Sequence, residues 1–197
     1  LGITILHPTA DTTHNVEAFT GAGSTVNTNG GTLTVSATSS NTAHASAGGV
    51  GVAAASIASM NPDANAGGNA LAHIDGSVTT NALSVTASGT NTANSEVFVV
   101  EIGLIGGAGG DSHADVTGNT EASIAATAQI TATGSVTVQA NSFPTANALA
   151  EGGSGGAIGV GILQANTTID GGATRAFIAE GAELHQTGNL TLVAEGT

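Results

Sequence analysis

The chain has 197 residues, of which 40% are hydrophobic but only 2% aromatic, so any core must be filled by Ala, Val, Ile and Leu. Cysteine is absent, which excludes a disulfide framework and a thiolate metal site. A single base, Arg175, stands against 14 acids for a formal net charge of −13, and this excludes phosphate backbones and anionic lipid surfaces, which need clustered Lys and Arg.

Residues 1–29 read as the tail of a repeat. Gly2-Ile3-Thr4-Ile5-Leu6 matches Gly159-Val160-Gly161-Ile162-Leu163, and Glu17-Ala18-Phe19 matches Arg175-Ala176-Phe177. The first full repeat starts near residue 30 with Gly31-Thr32-Leu33-Thr34-Val35-Ser36-Ala37. This run returns near 81 as Ala82-Leu83-Ser84-Val85-Thr86-Ala87, near 134 as Gly134-Ser135-Val136-Thr137-Val138-Gln139-Ala140, and in the partial repeat 188–197 as Gly188-Asn189-Leu190-Thr191-Leu192-Val193-Ala194. Its anchors Leu33, Leu83, Val136 and Leu190 are 50, 53 and 54 residues apart, intervals typical of stacked repeats. The whole chain, 1–197, is therefore read as one repeat array.

Each repeat holds three strand-length segments. The opening run alternates with period two and predicts a strand with one buried side, followed by a polar tail such as Ser39-Ser40-Asn41-Thr42. A run of small apolar residues follows, as in Gly48 to Ile57 or Val97 to Ile105. It is apolar on both faces and predicts a strand covered on its outer side by another layer of protein. Helix is the alternative for Ala53 to Ala58, but Gly48, Gly49 and Gly51 precede it and each interior Gly costs a helix about 1 kcal/mol. The third segment reads Ala70-Leu71-Ala72-His73-Ile74, Glu121-Ala122-Ser123-Ile124 and Arg175-Ala176-Phe177-Ile178. Turns are expected at Asn61-Pro62-Asp63 and Ile169-Asp170-Gly171-Gly172. The pattern predicts an all-β parallel β-solenoid (β-helix) of about four imperfect repeats of roughly 50 residues. Leu33, Leu83, Val136 and Leu190 form one inward column, and Asn41 and Asn91 begin a ladder that Pro144 interrupts. One large three-sided coil per period and several shorter coils both fit.

The motif Gly-x-Leu-x-Leu/Val-x-Ala, carried by Gly31 to Ala37 and Gly188 to Ala194, resembles the repeats of bacterial secreted β-solenoid adhesins of the filamentous-haemagglutinin-like kind. The resemblance implies a long right-handed parallel β-helix used in adhesion, cohesion or matrix building, although the period here is longer than that family's usual coil. An extracellular or cell-surface location follows from it. The expected function is a structural subunit or segment of an extracellular bacterial fibre. Its partner is a further copy of itself, joined end to end through Ile3 and Ile5 on one unfinished coil and Leu190 and Leu192 on the other. The alternative is an adhesin segment contacting host or neighbouring-cell surfaces.

Chemistry-bearing residues are sparse. Gly106-Gly107-Ala108-Gly109-Gly110-Asp111 fits the first six positions of the calcium-binding Gly-Gly-x-Gly-x-Asp repeat, and Asp115 and Asn119 add oxygen donors suited to a hard cation. A plain glycine-rich turn is the other reading, because His113 stands where a large apolar residue belongs. Calcium is thus the one candidate cofactor. The six histidines, His73 among them, form no HxH or HExxH spacing. Glu96 and Glu101 point to opposite faces of a strand, and without Trp or Tyr there is no sugar-stacking platform. The chain reads as a non-enzyme without membrane-inserted segments.

Overall fold

The computed structural model describes residues 2–170 and 172–197, so the turn expected at Gly171 lies outside the described residues. Among these residues every regular element is a strand, and every strand pairing is parallel. The strands are β1 (Gly2–Leu6), β2 (Thr9–Thr13), β3 (Val16–Thr20), β4 (Thr25–Asn27), β5 (Thr32–Val52), β6 (Ala55–Met60), β7 (Asp63–Gly67) and β8 (Ala70–Ile74). They continue with β9 (Ser77–Thr80), β10 (Ala82–Val116), β11 (Thr120–Ile124), β12 (Gln129–Ala132), β13 (Val136–Ile169), β14 (Thr174–Ile178), β15 (Glu183–Gln186) and β16 (Leu190–Gly196).

The strands sort into three sheets. The large sheet runs β1-β6-β10-β13-β16, with β5 and β7 also pairing β10 and β2 pairing β7; the second runs β14-β11-β8-β3 and the third β15-β12-β9-β4. Register follows the sequence period: Leu33, Leu83, Val136 and Leu190 are mutual partners in one column, and Val35, Val85, Val138 and Leu192 in the next. Pairing therefore joins residues about fifty apart, which selects the large period over shorter coils. The opening run with its polar tail and the apolar run after it are not two separate elements: in β10 they form one strand from Ala82 to Val116. The Ala53–Ala58 region is extended, entering β6 at Ala55.

A strand of this length folds back on itself. Ser112 donates its hydroxyl to Ser95 Oγ at 2.8 Å, and Ser95 Oγ donates to Pro62 O at 2.9 Å, so an outgoing arm (β5, residues 82–102 of β10) faces a return arm (β6, β7, residues 105–116). The bend falls at Ala53-Ala54 in one layer and Gly103-Leu104 in the next. Three cores result. The widest lies beneath the second and third sheets, filled by Val35, Leu83, Val85, Ile74, Ile124, Ile130 and Val138. Alanines such as Ala43, Ala93 and Ala114 line the root of the two arms, and Met60, Val97, Val99 and Ala108 their distal part. Small side chains are what let two sheets lie this close, and the result is a fin projecting from a wider body.

Where the return arm turns into the second sheet, Gly68 and Gly118 hold φ of 138° and 127°. A Cβ on Gly68 would collide with His14 O, and one on Gly118 with Gly68 O. Only glycine fits both the dihedral and the gap. Asn41 and Asn91 reach inward under these turns: Asn41 Nδ2 donates to Asn91 Oδ1 at 2.8 Å, and Asn91 Nδ2 donates to Thr117 O at 2.7 Å and Gly68 O at 3.2 Å. Pro144 takes the next register position. A second ladder, unsuspected from the sequence, runs along the turn itself: the Oδ1 atoms of Asn15, Asn69 and Asn119 accept from the backbone N–H of Asn69, Asn119 and Ala173 at 2.7–3.0 Å.

Candidate functional site: outer faces and sheet edges

Strand alternation fixes what the outer faces carry. On the fin the outward residues are Val50, Val52, Phe98 and Ile102 on one arm and Ile57, Ile105, Val160 and Ile162 on the other, all exposed, up to 75% for Val52. The apolarity of both faces predicted a covering layer; no part of the described chain supplies one. The reason is geometric. The two arms cover each other's inner face, so the outer face can be met only from beyond this chain. Ile57, Val160 and Ile162 flank Gly107 and Gly109 to leave a shallow apolar groove.

The glycine-rich stretch Gly106 to Asp111 lies within the return arm of β10 as extended strand, not as a turn. Its glycines serve packing: Gly110 closes onto Val97 and Leu163. Asp111, His113 and Asp115 alternate outward, and in an extended strand residues four apart are separated by about 13 Å. Each oxygen set finds its own partner. Asp111 Oδ1 accepts from Asn166 Nδ2 at 3.0 Å, Asp115 Oδ2 meets His113 Nε2 at 2.9 Å, and Asn119 Oδ1 belongs to the turn ladder. The structure does not bring Asp111, Asp115 and Asn119 together, and no cluster of three or more His, Asp or Glu side chains suited to a metal occurs among the described residues.

The second sheet carries a constellation that spacing did not reveal. Parallel register stacks Phe19, His73, Ser123 and Phe177 in one outward column and Glu17, Leu71, Glu121 and Arg175 in another. His73 Nδ1 meets Asp75 Oδ1 at 2.8 Å, and its Nε2 meets Glu17 Oε1 at 2.9 Å from the neighbouring layer. The Phe19 ring lies flat on the imidazole, with centroids 5.1 Å apart and planes at 5°. Burial pulls the His73 pKa down, but the hydrogen bonds and charges of Glu17 and Asp75 outweigh it, and the net direction is upward from 6.5. With both ring nitrogens engaged, the imidazole is a fastener between layers and is not free to shuttle protons. Because Ser123 is small, a groove of ≈ 390 Å³ opens between His73 and Phe177, rimmed by Glu17, Asp75 and Glu121. Arg175, paired with Glu121 at 2.7 Å, is the only base in the chain. The repeat period itself was the signal that could have stacked these residues; it does not say which face they share.

The expected assembly residues occupy sheet edges. Ile3 and Ile5 lie on β1, at one edge of the large sheet, and Leu190 and Leu192 on β16, at the other; all four are exposed. They belong to different arms. Ile3 pairs with Ile57 of the return arm and Leu190 with Val136 of the outgoing arm, so the two pairs do not share a column. No family model, no curated protein and no solved structure matches the chain.

Proposed function

We propose that this chain is a structural segment of an extracellular bacterial fibre: a parallel β-solenoid of about four imperfect repeats, extended along its axis by strand pairing at its open sheet edges. The observation that carries this reading is the register of β5, β10 and β13. Like residues pair without a slip from Leu33–Leu83 to Val116–Ile169, apart from the bend. A one-residue slip would turn every inward side chain outward, so such pairing is a template a further layer can continue. A cysteine-free surface with one base accords with an extracellular setting. In the adhesin reading, favoured by the bare apolar faces of the fin, the same rod presents those faces to another surface.

Backbone direction chooses the test. Val136 donates its N–H to Asn189 O and Thr197 donates its N–H to Ser142 O, so odd-numbered residues of β16 turn toward β13. The N–H groups of Leu190, Leu192, Ala194 and Gly196 therefore face the open edge. Ala194→Pro removes one edge donor and leaves the internal ladder whole, whereas Thr191→Pro breaks that ladder. By electron microscopy the unaltered chain is expected to form filaments, and Ala194→Pro to shorten them several-fold with unchanged β-content by circular dichroism. A chain that stays monomeric at high concentration yet saturably binds a surface ligand would overturn the fibre reading in favour of the adhesin one.

A further inference from the structure

At the tip of the fin the outgoing arm buries a carboxylate. Glu101 sits at an inward position of β10 and is 3% exposed. Its register partner in the preceding layer is Gly51, where a Cβ would collide with both carboxylate oxygens, so glycine there makes the room. Glu101 Oε2 is sealed from solvent without a hydrogen-bond partner among the described residues, and Ser56 Oγ across the arms, in a residue also 3% exposed, is equally unpartnered there. Both residues line a single cavity of ≈ 110 Å³ with Thr4, Gly51, Val52 and Ala53. Among the described residues no other lining residue is ionisable. The chain's one base is committed to Glu121 on a different sheet.

A charged carboxylate without a counter-charge is not tolerated in such a place. Two species can relieve it, a proton or a cation from solution. The cavity favours the cation, because Ser56 Oγ, the acceptor a protonated carboxyl would use, is not hydrogen-bonded to Glu101, whereas a space bounded by a separated carboxylate and hydroxyl suits an ion that bridges them and brings its own water. We infer that the fin tip holds a binding site for one hard cation of the calcium class, with Glu101 and Ser56 as its side-chain ligands and water completing the shell. It is unrelated to the glycine-rich stretch ending at Asp111, which lies on the outside of the return arm, and it does not depend on filament formation.

The test is thermal unfolding and calorimetric titration of the whole chain with CaCl₂ at fixed ionic strength, using the unaltered chain, Glu101→Gln, Ser56→Ala, and Glu96→Gln as an exposed control from the opposite face. At ten times Kd, one-site linkage raises Tm by roughly 3–6 °C for a chain of this size. The unaltered chain and Glu96→Gln are expected to show this rise with a 1:1 heat of binding. Glu101→Gln is expected to lose both, and Ser56→Ala to weaken apparent affinity several-fold; the latter serves as the test on its own should Glu101→Gln not fold. Equal responses in Glu101→Gln and the unaltered chain would overturn the site and assign the effect to surface screening. No calcium response up to 10 mM, with a loss of stability on raising pH that Glu101→Gln abolishes, would overturn it in favour of a neutral acid.

Discussion

At the scale of single residues, direction along the strand decides what a substitution costs. Leu83 is sealed in the widest core, while Ser84, one residue on, looks outward. Leu83→Asp puts an uncompensated charge among Val, Ile and Leu, and is expected to cost several kcal/mol. Ser84→Asp should stay within about 1 kcal/mol; equal chemical-denaturation midpoints for the two variants would contradict the alternation. His73 sets a pH dependence of definite sign. Its folded pKa lies above the ordinary 6.5, so its ties to Glu17 and Asp75 contribute fully below about pH 6.5 and are lost as pH rises through the raised value. His73→Gln should therefore narrow its stability deficit against the unaltered chain as pH goes from 6 to 8, read from Tm at each pH. Leu83 was legible in the sequence because one strand's alternation defines its face. Glu17–His73 was not, because its members are distant in sequence and meet only through register.

Whole elements depend on a few positions where the backbone has no alternative. Gly118→Ala adds a Cβ at φ 127° directly against Gly68 O, and is expected to destabilise by about 2 kcal/mol or more, most visibly as faster hydrogen exchange in β11. Asn91→Ala strips donors from Thr117 O and Gly68 O, while Asn41 Nδ2 loses Asn91 Oδ1 but keeps Ser39 Oγ and His14 O. Each buried group so orphaned costs about 1–3 kcal/mol, and Asn91→Ala should lower Tm by more than Asn94→Ala, whose side chain makes an exposed bond to Asn147. The columns and the Asn41–Asn91 pair were readable because like residues recur at the period. The third sheet escaped notice: its strands, such as Ser77–Thr80, are only three or four residues long and too short to establish a period of two. The fold-back escaped for another reason. A run apolar on both sides looks the same whether a second sheet or a bare surface lies on its outer face, and the arms are distinguished only by contacts that the fold makes, such as Ser95–Ser112 and Ser95–Pro62.

For the molecule as a whole, charge and shape work separately. With −13 net charge, layers stacked along one axis repel, so added salt or divalent cations should lengthen filaments, measured by sedimentation at graded ionic strength. Glu101→Gln should leave that dependence on ionic strength intact. In the proposed fibre the fin would give the rod unequal bending stiffness. Its arms from Ala93 to Ile102 run about 30 Å outward while the two sheets lie about 10 Å apart, so flexing in the plane of the fin meets roughly nine times the resistance of flexing across it. The hydrogen bonds lie along the rod axis, and in-plane curvature would stretch them most at the tip. A radius of curvature of about 300 Å would open the layer spacing there by roughly a tenth, near half an ångström, enough to weaken every bond in the row. If the chain extends into the proposed fibre, such a keel would make it yield sideways first, laying the flat apolar face of the fin, rather than its edge, against whatever it is pressed upon.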